Sequence, residues 1–461
     1  MQQAKSTNVT RFLATAVILV VVGAPATTGA AEKPTGVPTA PTPMSWEQAI
    51  RTGIDKQPAI KAAQHDALAS QTVTKQIESA NYPQLTGLFV NTGGNTRVLE
   101  NLGISGSLPK PTNYLSTPGL RADFLITDFG QTAHRILSQK TLASAAEKTV
   151  LTSKALTILT VKQAYLNCLK QQRLAEIAGA VLKERDLIRQ QTEIFYRRQL
   201  RSKLDLDFAS VEFNRAEVAL IKANNNLDLA FAELNTAMGL QSQEPYVLEH
   251  LTASPVPAED PERLLQQALE LRPELLGSRD RVQATEEALK AAKALRFGSI
   301  TAISTLGYTW WSREEVSSTG TVTNPGAKLG WYGVAGTSAF PLYTGGRIEG
   351  QIDEADARRG EAQSVTRSIV NDIVFQVARA YLSELTAEQQ ITVAEEKVAH
   401  AREAFTLARE RYTVGLGSIL DVTTATADLL SAEVQLADAQ YEYLASKAAL
   451  AFATGAEYGR Y

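Results

Sequence analysis

Apolar side chains recur at alternating intervals of three and four along the C-terminal half of the chain. Ile391, Ala394, Val398, Ala401, Phe405, Ala408 and Tyr412 form one run, and Leu420, Thr423, Ala427, Leu430, Val434, Ala437, Tyr441 and Leu444 form the next. A 3.5-residue spacing is the seam of a left-handed coiled coil, so the pattern predicts two long helices folded back on each other about a turn. The N-terminal half carries a weaker version, Leu174, Ile177, Val181, Ile188 and Phe195, interrupted by Glu184 and Gln191. Off the seam, abundant Ala, Gln and Thr predict a second, more polar packing face, suited to neighbouring subunits or water. Residues 131–238 hold no proline and a single glycine, and no proline follows Pro341, so nothing breaks these helices. About 65 residues precede each turn, on the order of 100 Å of helix.

The two halves are one pattern written twice. At an offset of 216 residues, Val161, Ala164, Tyr165 and Leu166 recur as Val377, Ala380, Tyr381 and Leu382. Tyr196, Leu200, Ser202, Leu204 and Asp205 recur as Tyr412, Leu416, Ser418, Leu420 and Asp421, and Gly239 as Gly455. Phe124 and Gly130 match Phe340 and Gly346, while Pro58 matches Pro273 after a one-residue slip. A constant offset over this span marks tandem copies. Residues 45–240 form the first and 262–461 the second, joined by a linker at 241–261 that contains Pro245, Pro255, Pro257 and Pro261. Each copy predicts a short helix (46–56; 263–271) ending at a proline, a second helix, a region of strand character, and a long helical hairpin (131–238; 347–454).

The hairpin turns carry a shared signal. Ser202 with Asp205, and Ser418 with Asp421, are S-x-x-D pairs, which predict capping boxes at the start of each returning helix. Gly415 and Gly417 are expected to supply the positive φ that ends the preceding helix. In the strand regions, 84–91 and 120–128 flank a polar loop in the first copy, and 300–312 and 329–343 flank 314–328 in the second. The two β-hairpins thus occupy about 84–128 and 300–343. Tyr308, Trp310, Trp311, Trp331 and Tyr332 cluster toward the loop side of the second hairpin, like the aromatic girdle of an outer-membrane barrel. Four strands cannot close a barrel, for which about eight are needed, so strands that span a membrane require several chains to share one barrel. An antiparallel patch in a soluble domain is the other reading of the same residues.

At the N-terminus, Lys5 and Arg11 precede an apolar run at 12–22, and small residues follow to Ala31, the layout of a secretory signal peptide over 1–31. The run is too short to cross roughly 30 Å of hydrocarbon as a helix. An uncleaved anchor is the alternative. No cysteine stands just after the run to become a new N-terminus, so the exported chain is expected not to be lipidated. A Pro/Thr-rich lead at 32–44 is expected to be extended.

Composition narrows the function classes. Among 461 residues, 46 basic side chains stand against 49 acidic ones, a net charge of −3 that leaves no footprint for nucleic acid. A single cysteine, Cys168, rules out an internal disulfide and a thiolate zinc site. The histidines His65, His134, His250 and His400 are scattered, and neither a metal nor another cofactor is expected. No phosphate-binding GxxxxGK[ST] occurs and no nucleophile or carboxylate pair has a motif context, so no enzymatic activity is expected.

The signal peptide, tandem copies, one β-hairpin per copy and long helical hairpins together resemble the TolC family of outer-membrane efflux and type I secretion channels. The resemblance covers nearly all of the chain after the signal peptide. It rests on the segment from Phe124 to Gly130, on the segment from Phe340 to Arg347, and on the tip from Tyr412 to Val422. It implies a mainly helical chain of four β-strands and long coiled-coil helices. Three such chains would form a 12-stranded β-barrel continued by an α-helical barrel across the periplasm. It implies an outer-membrane exit duct of a tripartite efflux pump or type I secretion system in a Gram-negative bacterium. The partners it implies are the chain's own copies, outer-membrane lipid, a periplasmic adaptor and an inner-membrane pump that supplies the energy.

Residue by residue, Val414, Gly415 and Leu416 resemble the family's adaptor-contact motif, of which the first tip keeps Leu200. Tyr412 and Asp205 match residues that hold the family's gate, although a seam aromatic and a helix cap account for the same residues. Asp421 matches a constriction aspartate. The family's second aspartate is Thr424 here, and its gate arginine is Gly417. The alternatives are a periplasmic adaptor, which would have one hairpin flanked by β-domains, and a soluble exported coiled-coil scaffold.

Overall fold

The structure is a computed structural model that describes residues 42–93, 114–241, 246–251, 260–312, 315–316, 322–323 and 326–458. The signal peptide and most of the Pro-rich lead lie outside the described residues, as does the Trp311 side chain.

Helix α1 (Trp46–Lys56) starts at Ser45, whose hydroxyl accepts the Gln48 N–H while the Gln48 side chain accepts the Ser45 N–H. Pro58 opens α2 (Pro58–Glu78), where a missing N–H costs nothing. Strands β1 (Gln84–Gly93) and β2 (Tyr114–Thr127) follow, then α3 (Gln131–Arg197) and α4 (Lys203–Ala237). The second half repeats the order with α5 (Pro261–Leu271), α6 (Pro273–Ala294), β3 (Ser299–Ser312), β4 (Gly326–Ala339), α7 (Arg347–Thr413) and α8 (Ile419–Ala453). Helices α3 and α7 have 67 residues each and α4 and α8 have 35, so the long helices match in length as well as position. At 1.5 Å per residue they run about 100 Å and about 50 Å.

Several expected bounds shift: β2 starts at Tyr114 rather than 120, and β4 at Gly326 rather than 329. Helix α5 starts at Pro261 rather than 263, because Asp260 caps it by accepting the Glu262 N–H at 3.1 Å. Strand β4 ends at Ala339, short of the expected 343. Pro341 lacks an N–H, and Gly345 (φ 60°) and Gly346 (φ 84°) turn the chain into α7.

The seam predicted on α7 lies on its packed side. Ile391 and Ala394 join Ala387, Ala439 and Tyr443 in one cluster, and Tyr412 joins Ile419, Val422 and Ile188 in another. On α8 the predicted Leu444 packs on the first of these clusters, while toward the tip the predicted phase is off by one. Contact with α7 runs through Ile419, Val422, Ala439 and Tyr443, whereas Leu420 is 66% exposed. Ala427, Leu430 and Val434 instead line a groove with Leu174, Val181 and Ala216 of the first hairpin. A helix with a neighbour on each side carries two overlapping stripes of the same period, and the period alone does not say which stripe meets which neighbour.

The largest core is where the short helices meet the long ones. Ala49 and Ile50 of α1 pack on Val161, Tyr165, Cys168, Leu169, Leu234 and Met238. Trp46 meets the Tyr165 ring edge-on at 5.3 Å, and the Tyr165 hydroxyl accepts the Glu249 N–H at 2.8 Å. Burial pushes the Cys168 thiol up to about 12, which leaves it unreactive. The second repeat builds the counterpart from Leu264, Ala268, Leu275, Ile373, Val377 and Ala380.

The strands form one antiparallel sheet in the order β1-β2-β3-β4, with β2 and β3 joining the repeats through pairs such as Leu120 opposite Leu306. Entry into β3 depends on Gly298, at φ 77° and ψ −151°, where a Cβ would stand 1.9 Å from the Ala339 carbonyl oxygen. Gly345 also has positive φ but nothing within 4 Å of a Cβ. Gly298→Ala is therefore expected to destabilise the protein by more than about 3 kcal/mol. Gly345→Ala should cost roughly 1–2 kcal/mol. Thermal unfolding in detergent checks the order, and equal losses would contradict it.

Candidate functional site: helical tips and sheet faces

Both helical hairpins turn by the same backbone path. At the first tip Gln199 adopts φ 58°, with Leu200 N–H donating to the Phe195 carbonyl at 2.9 Å and Gln199 N–H to that of Tyr196 at 2.8 Å. At the second, Gly415 has φ 84°, Leu416 donates to Arg411 at 2.8 Å and Gly415 to Tyr412 at 3.1 Å. This paired bonding closes a helix C-terminus around a left-handed residue. Gly415 supplies the positive φ, and Gly417, expected to share that role, does not. The first tip thus keeps the turn without its glycine. Val414 (69% exposed), Leu416 (75%) and Leu200 (66%) stand out from the two tips.

Each return helix starts in the expected capping box. The Ser202 N–H and hydroxyl donate to Asp205 Oδ2 at 3.1 and 2.9 Å. The Ser418 N–H donates to Asp421 Oδ2 at 3.0 Å, and the Asp421 N–H donates back to Ser418 Oγ at 3.1 Å. These Ser418 bonds hold the exposed Asp421 carboxyl below the usual aspartate range, with Arg411 assisting. Tyr412 is fully buried, and its hydroxyl lies 2.9 Å from Thr192 Oγ1. The Thr192 hydroxyl donates to the Ile188 carbonyl, so Tyr412 donates to Thr192. Tyr412 and Asp205 therefore hold different partners within the chain and are not bonded to each other.

Sequence reasoning passed over the groups that tie the two hairpins together. Arg201 reaches the Tyr412 ring and two carbonyls of the second tip. Arg185, buried and with its pKa lowered by desolvation, donates to the Thr423 carbonyl at 3.2 Å and pairs with Glu212 at 3.5 Å. Arg409 pairs with Glu184 at 3.3 Å. The repeat offset would have flagged Arg201, which occupies the position of Gly417.

Pleating separates the sheet into two unlike faces. Leu85, Phe89, Leu120, Phe124, Leu306, Tyr308, Trp310, Tyr332 and Val334 share one face by register, and all are exposed on the single chain. The other face carries Thr86, Thr301, Thr305 and Thr337 with Arg121 and Asp123, whose ion pair measures 2.7 Å. The predicted aromatic cluster is split accordingly. Tyr308, Trp310 and Tyr332 lie on the apolar face. Trp331 lies on the opposite face, over Gly119 and Gly307, where an added Cβ would come within 3.1 and 2.7 Å of its ring. Residues 330 and 332 alternate with 331, which clustering in sequence does not separate.

Among the described residues no helix is long and apolar enough to cross a membrane, and no group of His, Cys, Asp and Glu could hold a metal ion. The model of a family described as outer membrane efflux protein matches residues 50–240 and again 264–456, one match per repeat. The chain belongs to this family. The efflux protein is 25% identical over 392 residues to outer membrane efflux protein BepC of Brucella suis biovar 1 (strain 1330), a match covering 82% of this chain and 78% of BepC. To outer membrane protein TolC of Salmonella enteritidis it is 25% identical over 263 residues, covering 54% and 51%.

Among solved structures, CusC superposes with a TM-score of 0.75 at 18% identity, covering 89% of this chain and 92% of CusC. VceC of Vibrio cholerae gives 0.72 at 19%, covering 89% and 96%. The fold is thus that of the TolC-type channels, and the efflux protein is an exit duct of the outer membrane, from a family of transport channels. A periplasmic adaptor or a soluble scaffold finds no support among these similarities.

The capping geometry has a pH signature. Because the Asp421 pKa is lowered in the folded state, the box stabilises fully above the ordinary aspartate range and is lost as pH falls through the lowered value. NMR titration of the Asp421 carboxyl should give a midpoint below that of a free aspartate, and Ser418→Ala should move it upward. An unmoved midpoint would show that Ser418 is not the cause.

Proposed function

We propose that three copies of the chain assemble around one axis into a duct that passes substrates from an inner-membrane pump and its periplasmic adaptor to the exterior. The observation that carries this reading is the open four-stranded sheet with one apolar face, whose edge strands β1 and β4 each have a single neighbour among the described residues. Backbone groups on a sheet edge in hydrocarbon need partners, and further copies of the same chain supply them. Three chains bring twelve strands, enough for a barrel wide enough to conduct. The apolar face then meets lipid, with Tyr308, Trp310 and Tyr332 toward its outer rim, and the threonine-rich face lines the lumen. The helical hairpins continue the barrel into the periplasm.

In this assembly residues 1–31 are a signal peptide removed on export, 32–44 an unlipidated lead, 45–240 and 262–461 the two repeats, and 241–261 their linker. Val414, Gly415, Leu416 and Leu200, at the far ends of the hairpins, contact the adaptor. Tyr412 and Asp205 belong to the gate at the same end. The Asp421 carboxylates of the copies converge near the axis, where mutual repulsion opposes the lowering that Ser418 imposes and the ring favours cations. The duct performs no chemistry, and its energy comes from the pump.

Mass determination in detergent is expected to give three protein chains per particle, and any other number overturns the assembly. In planar bilayers, Asp421→Ala should reduce the preference for cations. Unchanged ion selectivity would remove Asp421 from the pore.

A further inference from the structure

Two residues that hold the same place in the two repeats meet at the tips. Arg201 and Gly417 are equivalent at the 216-residue offset. Arg201 is half-buried, and its Nη2 donates to the Gly417 carbonyl at 3.1 Å and to the Tyr412 carbonyl at 3.3 Å. Its guanidinium carbon lies 4.6 Å from the centre of the Tyr412 ring. One side chain from the first tip therefore grips the second tip by a stack and a forked pair of hydrogen bonds.

The surroundings fit that grip. The Tyr412 ring is a fixed platform, since it is fully buried and its hydroxyl is tied to Thr192 of α3. The Tyr412 carbonyl belongs to the last turn of α7, the negative end of the helix dipole, where a cation is favoured. Gly417 has no side chain to compete, and a Cβ there would stand 3.1 Å from the Tyr412 nitrogen. Arginine suits the place better than lysine, because a planar guanidinium can stack and donate sideways at once. Among the described residues Arg201 makes no ion pair, so its charge is directed at the other tip. Other links between the hairpins, at Glu184, Arg185 and Thr192, lie further from the turns in sequence.

We propose that Arg201 is the clasp that holds the two helical hairpins of one chain together at their tips, and that opening the duct releases it. This rests on the reading of the tips as the gate. Release breaks bonds to neutral carbonyls and a ring stack and leaves no buried carboxylate without its partner. The clasp can therefore open and close without the cost of separating a desolvated ion pair.

The test uses the full chain, exported and assembled, in planar bilayers without an adaptor. Removing charge-assisted bonds from the closed tip should shift the closed–open balance roughly ten-fold. Arg201→Ala and Arg201→Gln should therefore both show a marked rise in time-averaged conductance. Arg51→Ala, at an exposed site in α1 with only a weak pair to Glu47, should conduct as the unaltered protein does. Unaltered conductance in either assembled Arg201 variant overturns the clasp. Failure of both variants to assemble would make Arg201 an assembly residue and overturns it equally. A protein that forms no conducting pore in any version overturns the duct reading instead, and the clasp falls with it.

Discussion

A backbone N–H or C=O left without a partner in hydrocarbon costs several kcal/mol, and a sheet edge presents a row of them. In this chain β1 offers 10 residues of edge and β4 offers 14, with no strand beyond either among the described residues. That unpaired edge is the constraint from which the rest of the architecture takes its sense. It turns a four-stranded sheet into a fraction of something larger. It also explains why the apolar face, with Tyr332 at 90% and Val334 at 81% exposure, can be tolerated in a chain whose helices are rich in charge.

The tandem repeat answers the same constraint with little new information. Helices α7 and α8 copy the lengths of α3 and α4, so the repeats deliver matching rods from the sheet. Backbone conformation is preserved even where residue type is not. Gln199 stands in for Gly415 and Phe129 for Gly345, all at positive φ. A non-glycine residue in that region costs roughly 1–2 kcal/mol. The first tip nevertheless keeps the Leu200 and Gln199 hydrogen bonds of the turn, and the Phe129 ring lies 6.0 and 6.4 Å from those of Phe297 and Phe340. The copies differ where the tips meet, in Arg201 against Gly417, and far from the tips in the buried Lys162–Glu457 pair, whose lysine is Ala378 in the second copy.

Much of this was legible in advance because it depends on local rules. Prolines at 58 and 273, the S-x-x-D boxes and the absence of helix breakers over 131–238 placed the helix ends to within a residue or two. Strand pairing within each hairpin also followed from chain order. The phase of the α8 seam did not follow, since Ala427, Leu430 and Val434 form as regular a stripe as Ile419, Val422 and Thr426, and both face helices. Nor did the parting of Trp331 from its aromatic neighbours.

The sequence by itself determined the repeat, the hairpins, their lengths and their caps, because hydrophobic period, backbone stereochemistry and capping act over a few residues. Tertiary structure alone decided which stripe meets which helix, which face of the sheet each aromatic occupies, and that Arg201 reaches across to Tyr412 and Gly417. The Arg201 contacts join residues more than two hundred positions apart. Their partners are selected by the spatial arrangement of rods and strands, and no local preference encodes that arrangement.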